Sequence, residues 1–321
     1  MFVLYSSKSI QSFSIENLIP EVMNNRANKS ITVQAEIKAP VEMENQIYPC
    51  LWFDGKAREA AQFYCSVFEN STITDDNQMA VIFESSGQKF MCLNGGPEFA
   101  FNSSISFFVI FSSEEEIDEA WNKLLEGGSV LMPLDKYDWS RRYGWLQDRF
   151  GLNWQLSFGT TEESGQKFTP VLMFTGDQNG KAEQAMEFYT SVFEGSSVNG
   201  ILRYSGNENV IPAAIQHAQF TLGGQHFMAM DSSLPSQASF NEAVSLVVEC
   251  NSQDKIDYFW DKLTQNGEEV QCGWLKDQFG VSWQIVPSIL SSLMSDPARS
   301  ERVVKAFLQM KKFDIEKLMK A

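Results

Sequence analysis

His217 and Gln219 stand two residues apart in IQHAQF, so on a strand both side chains share one face. An imidazole on an inward face is well suited to moving protons near neutral pH. His217 is therefore the candidate general acid or base, with a hydrogen-bonded structural histidine as the plain alternative. The sequence holds one other histidine, His226, and five cysteines (Cys50, Cys65, Cys92, Cys250, Cys272) without a CxxC spacing. That usage predicts reduced thiols in a cytosol rather than a disulfide framework or zinc knuckle, and hence a cytoplasmic protein. The other candidates are aromatic, basic and amide side chains. Trp52, Phe108, Trp145 and Trp154 either line an apolar cup or fill a core, as does Trp274, the repeat counterpart of Trp145. Tyr137, Trp139, Arg141 and Arg142 cluster on one polar stretch, where an arginine could grip an anion or all four could be solvated. Asn94 and Asp231 read as cup groups or turn formers. Gln155 and Gln284 either orient a ligand or satisfy strand-end backbone groups.

The elements that must position these residues are written twice. Gly55–Glu69 (GKAREAAQFYCSVFE) and Gly180–Glu194 (GKAEQAMEFYTSVFE) are identical at 10 of 15 positions, and Tyr143–Leu156 matches Cys272–Ile285 at 8 of 14. GQKFM answers GQHFM and EEEIDEAWNKL answers QDKIDYFWDKL, in the same order, so the chain is a duplication. The expected organisation is an N-terminal extension 1–46, a first unit 47–158, a linker 159–167, a second unit 168–287 and a helical tail 288–321. Met43 precedes the first strand, so residues 1–42 are expected to be dispensable or a mis-assigned start. Within each unit an apolar run bounded by Asp-Gly or Thr-Gly predicts a strand, and Ala57, Ala60, Ala61, Tyr64 and Val67 predict one apolar helix face. A hairpin around Ser-Gly, a β-branched and aromatic strand, a helix capped by Ser113 and further short strands follow. The stretch 133–142 is expected to be a loop peculiar to the first unit.

The motifs YPCLWFDGKAREAAQFYCSVF, GQKFMCLNGG, VLMPLDKYDWS and YGWLQDRFGLNWQL resemble the vicinal-oxygen-chelate superfamily of glyoxalases, bleomycin-resistance proteins and extradiol dioxygenases. TPVLMF, GKAEQAMEFYTSVF, GGQHFMAMDS and GWLKDQFGVSWQI carry the same resemblance in the second unit. It is strongest to the PhnB-like proteins labelled 3-demethylubiquinone-9 3-methyltransferase domain, here as a tandem member. The resemblance implies an α+β fold in which each domain holds two βαβββ modules, a curved mixed sheet surrounds a cup, and C-terminal helices follow. It also implies that the two repeats mimic a dimer, with a homodimer of the whole chain open. Superfamily chemistry uses a divalent metal in the cup as a Lewis acid. At the matching places this sequence offers Tyr48-Pro49 and Thr169-Pro170, Met91 to Leu93 and Met228 to Met230, Ser104 and Ala243, and Gln155 and Gln284. These are poor metal ligands, so no metal or other cofactor is expected. The Gly-Gly pairs at 95–96, 127–128 and 223–224 do not sit in the strand-to-helix turn that S-adenosylmethionine binding needs, so methyl transfer is not expected either.

Composition narrows the partners. With 41 acidic against 25 basic residues the chain carries a formal net charge of −16, which disfavours nucleic acid and anionic membranes. A small-molecule ligand in a barrel cup is the leading expectation, with or without chemistry. The alternative is non-catalytic sequestration, for which the acidic surface suits a cationic drug. A metal-dependent isomerase or lyase is the third reading.

Overall fold

The computed structural model describes residues 46–161, 165–205, 214–232 and 238–321, so the expectations for 1–42 and for the rest of the extension fall outside it, Gln46 excepted. The first repeat gives β1 (Gln46–Phe53), α1 (Ala57–Val67), β2 (Ser71–Asp76), β3 (Ala80–Ser85) and β4 (Gln88–Asn94). Then come β5 (Ile105–Phe111), α2 (Glu114–Leu125), β6 (Ser129–Tyr137), β7 (Ser140–Gln147) and β8 (Asn153–Phe158). The second repeat gives β9 (Phe168–Phe174), α3 (Ala182–Val192), β10 (Ser197–Arg203), β11 (Ile215–Leu222) and β12 (Gln225–Asp231). It continues with β13 (Val244–Cys250), α4 (Gln253–Leu263), β14 (Glu268–Glu269), β15 (Trp274–Lys276) and β16 (Ser282–Pro287). The tail forms α5 (Leu290–Ser295), α6 (Ser300–Phe307) and α7 (Ile315–Lys320).

Local chemistry sets these elements. Ser113 and Ser252 accept hydrogen bonds from Glu116 N and Lys255 N and so cap α2 and α4. Ser86 and Gly87 take φ of 50° and 78°, which closes the tight β3–β4 hairpin. Helices α1 and α3 lack a side-chain cap of their own. Their first turns are anchored instead from the neighbouring strand end: Asn94 Oδ1 accepts from Ala57 N, and Asp231 Oδ1 accepts from Gly180 N and Ala182 N.

The two eight-stranded mixed sheets cross between the repeats. The first runs β14-β15-β16-β13-β1-β4-β3-β2 and the second β10-β11-β12-β9-β5-β8-β7-β6. The seam of the first is the antiparallel β1–β13 ladder, from Gln46 opposite Glu249 to Leu51 opposite Val244. The seam of the second is β5–β9, from Ile105 opposite Leu172 to Val109 opposite Phe168. Each sheet therefore takes one βαβββ module from each repeat, and the tandem domains form an intramolecular pseudo-dimer.

Strand alternation then sorts the side chains. Ile47, Leu51, Phe53, Phe90, Phe107, Trp154, Phe168, Trp283 and Ile285 face the helices and join the main core. Tyr48, Cys50 and Val247 face the other way, into the concavity of the first sheet, and form a separate cluster with Met91, Leu93 and Val286. The tail packs beside α4: Gln253 binds Phe313 O and Ile315 N, while Cys272 N and Gly273 N donate to Met310 O and Lys311 O. It covers the edge where the second sheet instead has its long β6–β7 hairpin. Residues 133–142 are this hairpin, not a loop, with Asp135 opposite Tyr143 and Tyr137 opposite Ser140. No helix among the described residues is long and apolar enough to cross a membrane.

Candidate functional site

The shared motif WLxDxFGxxWQ builds scaffold first. Asp148 Oδ2 accepts from Tyr64 Oη at 2.9 Å and Trp154 Nε1 at 2.9 Å, and its Oδ1 accepts from the backbone of Phe150 and Leu152. Asp277 repeats this with Tyr189 Oη (2.7 Å), Trp283 Nε1 (2.8 Å), Phe279 N and Val281 N. Both carboxyls are buried on the helix side. Burial raises their pKa values, the four donors oppose it, and Asp277 comes to rest at about 6. Trp154, a sequence-level cup candidate, thus belongs to the core, where its indole N–H is spent on Asp148. Neither aspartate was picked out from the sequence, although each sat in the repeated motif beside its tryptophan.

The concave faces hold the rest. In the second cup, Ser106, Phe108 and Ile110 (β5), Thr169, Val171 and Met173 (β9), and Tyr143 and Trp145 (β7) share the inner face by alternation. Asn153, Gln155 and Ser157 (β8) and Met228 and Met230 (β12) join them. Tyr143 Oη donates to Gln155 Oε1 at 2.7 Å and Gln155 Nε2 donates to Ser106 Oγ at 2.8 Å, a buried polar string across the floor. Trp145 Nε1 donates to Asn153 Oδ1 at 3.3 Å. The rings of Trp139 and Tyr137 stack at 4.9 Å, Tyr137 meets Tyr143 edge-on at 5.6 Å, and Tyr143 lies 6.4 Å from Phe108. One continuous aromatic wall thus runs from the exposed hairpin tip, where Trp139 is 62% exposed, to the cup floor.

His217 and Gln219 lie on β11, on the same inner face, with His217 Nε2 at 3.5 Å from Gln219 Nε2. β11 and β7 stand symmetrically about the central β9–β5 pair, so in a curling sheet they face each other across the cup. The histidine of one repeat and the aromatic hairpin of the other thereby belong to one sheet and one concave face. Burial lowers the His217 pKa below its ordinary 6.5, which keeps the ring neutral and able to accept a proton. We expect the His217 imidazole resonances to titrate in NMR with a midpoint below that of a free histidine; a midpoint at or above 6.5 would refute its burial.

The first cup differs. Gln284 Nε2 donates to Ser245 Oγ at 2.9 Å, repeating the Gln–Ser pair, but Cys272 replaces Tyr143 and reaches toward Phe307 O instead. Cys50 lies against Gln284 and Ser245, and burial pushes its thiol up to about 12, so it is no thiolate nucleophile. Trp52 and Trp274 meet at 5.7 Å. Lys89 Nζ bonds Glu249 at 2.8 Å and rides 4.2 Å over the Tyr48 ring, tying the two repeats across β1. His226 occupies the place of Lys89 in the second sheet, with its backbone gripped by Gln166.

The structure thus divides the aromatic set proposed for one cup: Trp52 faces the first cup with Trp274, while Phe108, Trp139 and Trp145 belong to the second. Two further expectations need correction. Asn94 is not a cup group, because its amide anchors α1. Arg142 is not a cup cation, because its guanidinium is paired with Asp118 on the helix side of the sheet. Arg141 likewise stacks 3.3 Å over Phe158 and reaches Glu114. Ser106, Tyr143, Ser245 and the Lys89–Glu249 pair were missed; the matching serines in SISFF and VSLVV were the signal for two of them.

Residues 45–157 and 166–286 each match the 3-demethylubiquinone-9 3-methyltransferase family. The chain belongs to this family. A PhnB protein of this family from Bacillus cereus is 36% identical over 35% of this chain and 98% of its own, with a TM-score of 0.33. Protein PA1353 from Pseudomonas aeruginosa is 24% identical over 34% of this chain and 93% of its own, with a TM-score of 0.30. Glyoxalase I from Zea mays covers 78% of this chain and 96% of its own at 10% identity and a TM-score of 0.51, a likeness of fold. No curated protein matches the chain. The fold of this family member is that of the vicinal-oxygen-chelate superfamily, whose implied metal can be tested against the donors present. At the matching positions these are Tyr48, Met91 and Gln284 around the first cup and Thr169, Met228 and Gln155 around the second, neutral phenol, hydroxyl, thioether and amide groups, to which the second cup adds the imidazole of His217. Among the described residues no three His, Cys, Asp or Glu side chains converge as metal ligands do. The set does not fit a divalent cation, and no chemical step is assigned to one.

Proposed function

We propose that this protein binds a small, flat, uncharged apolar molecule in the second cup, with His217 placed to exchange a proton with it. The observation that supports this reading is the crossing of the repeats, which brings His217 and Gln219 into the same concave sheet face as the Trp139–Tyr137–Tyr143–Phe108 wall. Methionines 173, 228 and 230 supply an adaptable apolar floor, and the Tyr143–Gln155–Ser106 string supplies orientation. Both nearby arginines are held by α2 carboxylates, so an anionic ligand would find no counter-charge there. Sequestration without chemistry uses the same geometry, and the net charge of −16 favours it for a cationic ligand. Resident metal or S-adenosylmethionine has no part in either reading.

The neutral fluorophore N-phenyl-1-naphthylamine tests the site. We expect its fluorescence to rise on binding, and its affinity to fall about 10-fold or more in Tyr143→Ala, the loss expected for removing one buried aromatic contact. Trp52→Ala should leave this binding in place. Equal affinity in wild type and Tyr143→Ala would refute the second cup as the site. Turnover of a bound compound that is lost in His217→Ala, with affinity retained, would separate catalysis from sequestration.

A further inference from the structure

We propose that the first cup is a second ligand site, roofed by Trp52 and Trp274, in which Ser282 Oγ is the polar anchor for a flat, neutral ring bearing one acceptor oxygen. Trp52 lies on β1 and Trp274 on β15, with β13 and β16 between them. Three strand spacings put their backbones roughly 14 Å apart, yet the indoles meet edge to face at 5.7 Å. They must lean together over β13 and β16. Beneath them runs the cross-strand row Cys50–Ser245–Ser282, each fully buried.

Ser245 is already satisfied by Gln284. Ser282 is not: its hydroxyl is buried without a hydrogen-bond partner among the described residues, a costly state that native proteins rarely leave unexplained. The repeat supplies the contrast. The counterpart of Ser282 is Asn153, whose Oδ1 accepts from the indole of Trp145. The counterpart of Trp145 is Trp274, which lies against Trp52 instead. The first cup therefore keeps open a buried hydroxyl at a position where the second cup satisfies its polar group internally, Asn153 Oδ1 accepting from Trp145 and its Nδ2 donating to Gly151 O. Trp52 is the fixed wall, with its indole N–H on Gly96 O at 2.7 Å and its ring edge-on to Phe99 at 5.1 Å. To admit a ring above Ser282, Trp274 is therefore the side that has to move away from Trp52. The nearby cations Lys276 and Lys89 are paired with Glu242 and Glu249, so the groups around this row are aromatic rings and one hydroxyl rather than free charge. This inference stands apart from the second cup.

The test uses the full chain labelled with 5-fluorotryptophan, with 2-acetonaphthone and naphthalene as probes. The Trp52 and Trp274 signals are assigned by Trp52→Phe and Trp274→Phe. Saturating 2-acetonaphthone should shift both fluorine resonances. In Ser282→Ala its affinity by equilibrium dialysis should fall about 10-fold, the worth of one buried hydrogen bond, while naphthalene binds as in wild type. The urea midpoint of ligand-free Ser282→Ala should equal or exceed that of wild type, since an orphan hydroxyl is removed. A Trp274 resonance unmoved by the carbonyl probe, or equal affinity of that probe for wild type and Ser282→Ala, would overturn the proposal. Repeating the titration in Tyr143→Ala keeps binding in the second cup from being mistaken for it.

Discussion

Replacing Asp277 by alanine should lower the free energy of unfolding by about 4 kcal/mol, read as a large fall in the urea midpoint. The carboxyl is fully enclosed and holds four donors at once: a phenol, an indole and two backbone amides. Alanine strands all four and leaves a cavity beside Trp283. Asp277→Asn is the finer probe, because its Oδ1 still serves the two amides while its NH2 group confronts the Trp283 N–H. The pH dependence separates charge from shape. The native carboxyl titrates at about 6, above the ordinary value of about 3.9 for the unfolded chain. Between those values the native state holds a proton that the unfolded state has released. This contribution is therefore full below about 3.9 and is lost as pH rises through about 6. The advantage of wild type over Asp277→Asn should widen on acidification from pH 6 toward 4, by about 1.4 kcal/mol per unit at most. A gap independent of pH would show that Asp277 titrates normally.

That aspartate also shows what the sequence makes legible. Duplication was visible because two long motifs recur in order, and helices α1 to α4 were visible from the spacing of residues such as Ala60, Ala61 and Tyr64. The role of the most repeated motif was not visible. A buried scaffold hub and a catalytic motif both appear as an Asp repeated near Trp and Gln, and only the side of the strand decides between them. β2 carries no signal of its own, because STITDD is a solvent-facing edge without apolar alternation. The 133–142 hairpin read as a loop because its apolar residues are interrupted by Pro133, Asp135 and Lys136, and its pairing carries register shifts. Most consequentially, alternation tells which face a residue takes within its strand but not which sheet that strand joins. His217 could be paired with Gln219 from spacing alone. It could not be placed in one sheet with Tyr143, because that sheet exists only once β9 has paired with β5 of the other repeat.

The same crossing predicts what happens when the chain is cut between its repeats. A fragment 46–161 carries β1–β4 and β5–β8 but neither partner strand of the two seams, β13 nor β9. Alone it would expose the β1 and β5 edges, each a run of apolar residues with unpaired backbone groups. Such a fragment has two outcomes open to it: unfolding, or pairing its β1 with the β5 of a second copy and its β5 with that copy's β1. The seam residues favour pairing: Tyr48 and Leu51 meet Val247 and Val244 in β13 and Cys50 meets Ser245, and the matching β5 positions are Phe108, Ile105 and Ser106. We expect 46–161 to sediment as a dimer with no folded monomer at micromolar concentration. Mixed with 165–321, it should exchange into a heterodimer that regains the urea midpoint of the linked protein, lowered only by the loss of the covalent connection. The Lys89–Glu249 pair forms only in that heterodimer, because a dimer of 46–161 places Ile110 where Glu249 stands. Preference for the mixed complex should therefore weaken in Glu249→Gln. A folded, monomeric 46–161 would mean that one repeat can close its own sheet, and the shared-cup assignment of His217 and Tyr143 would fall with it.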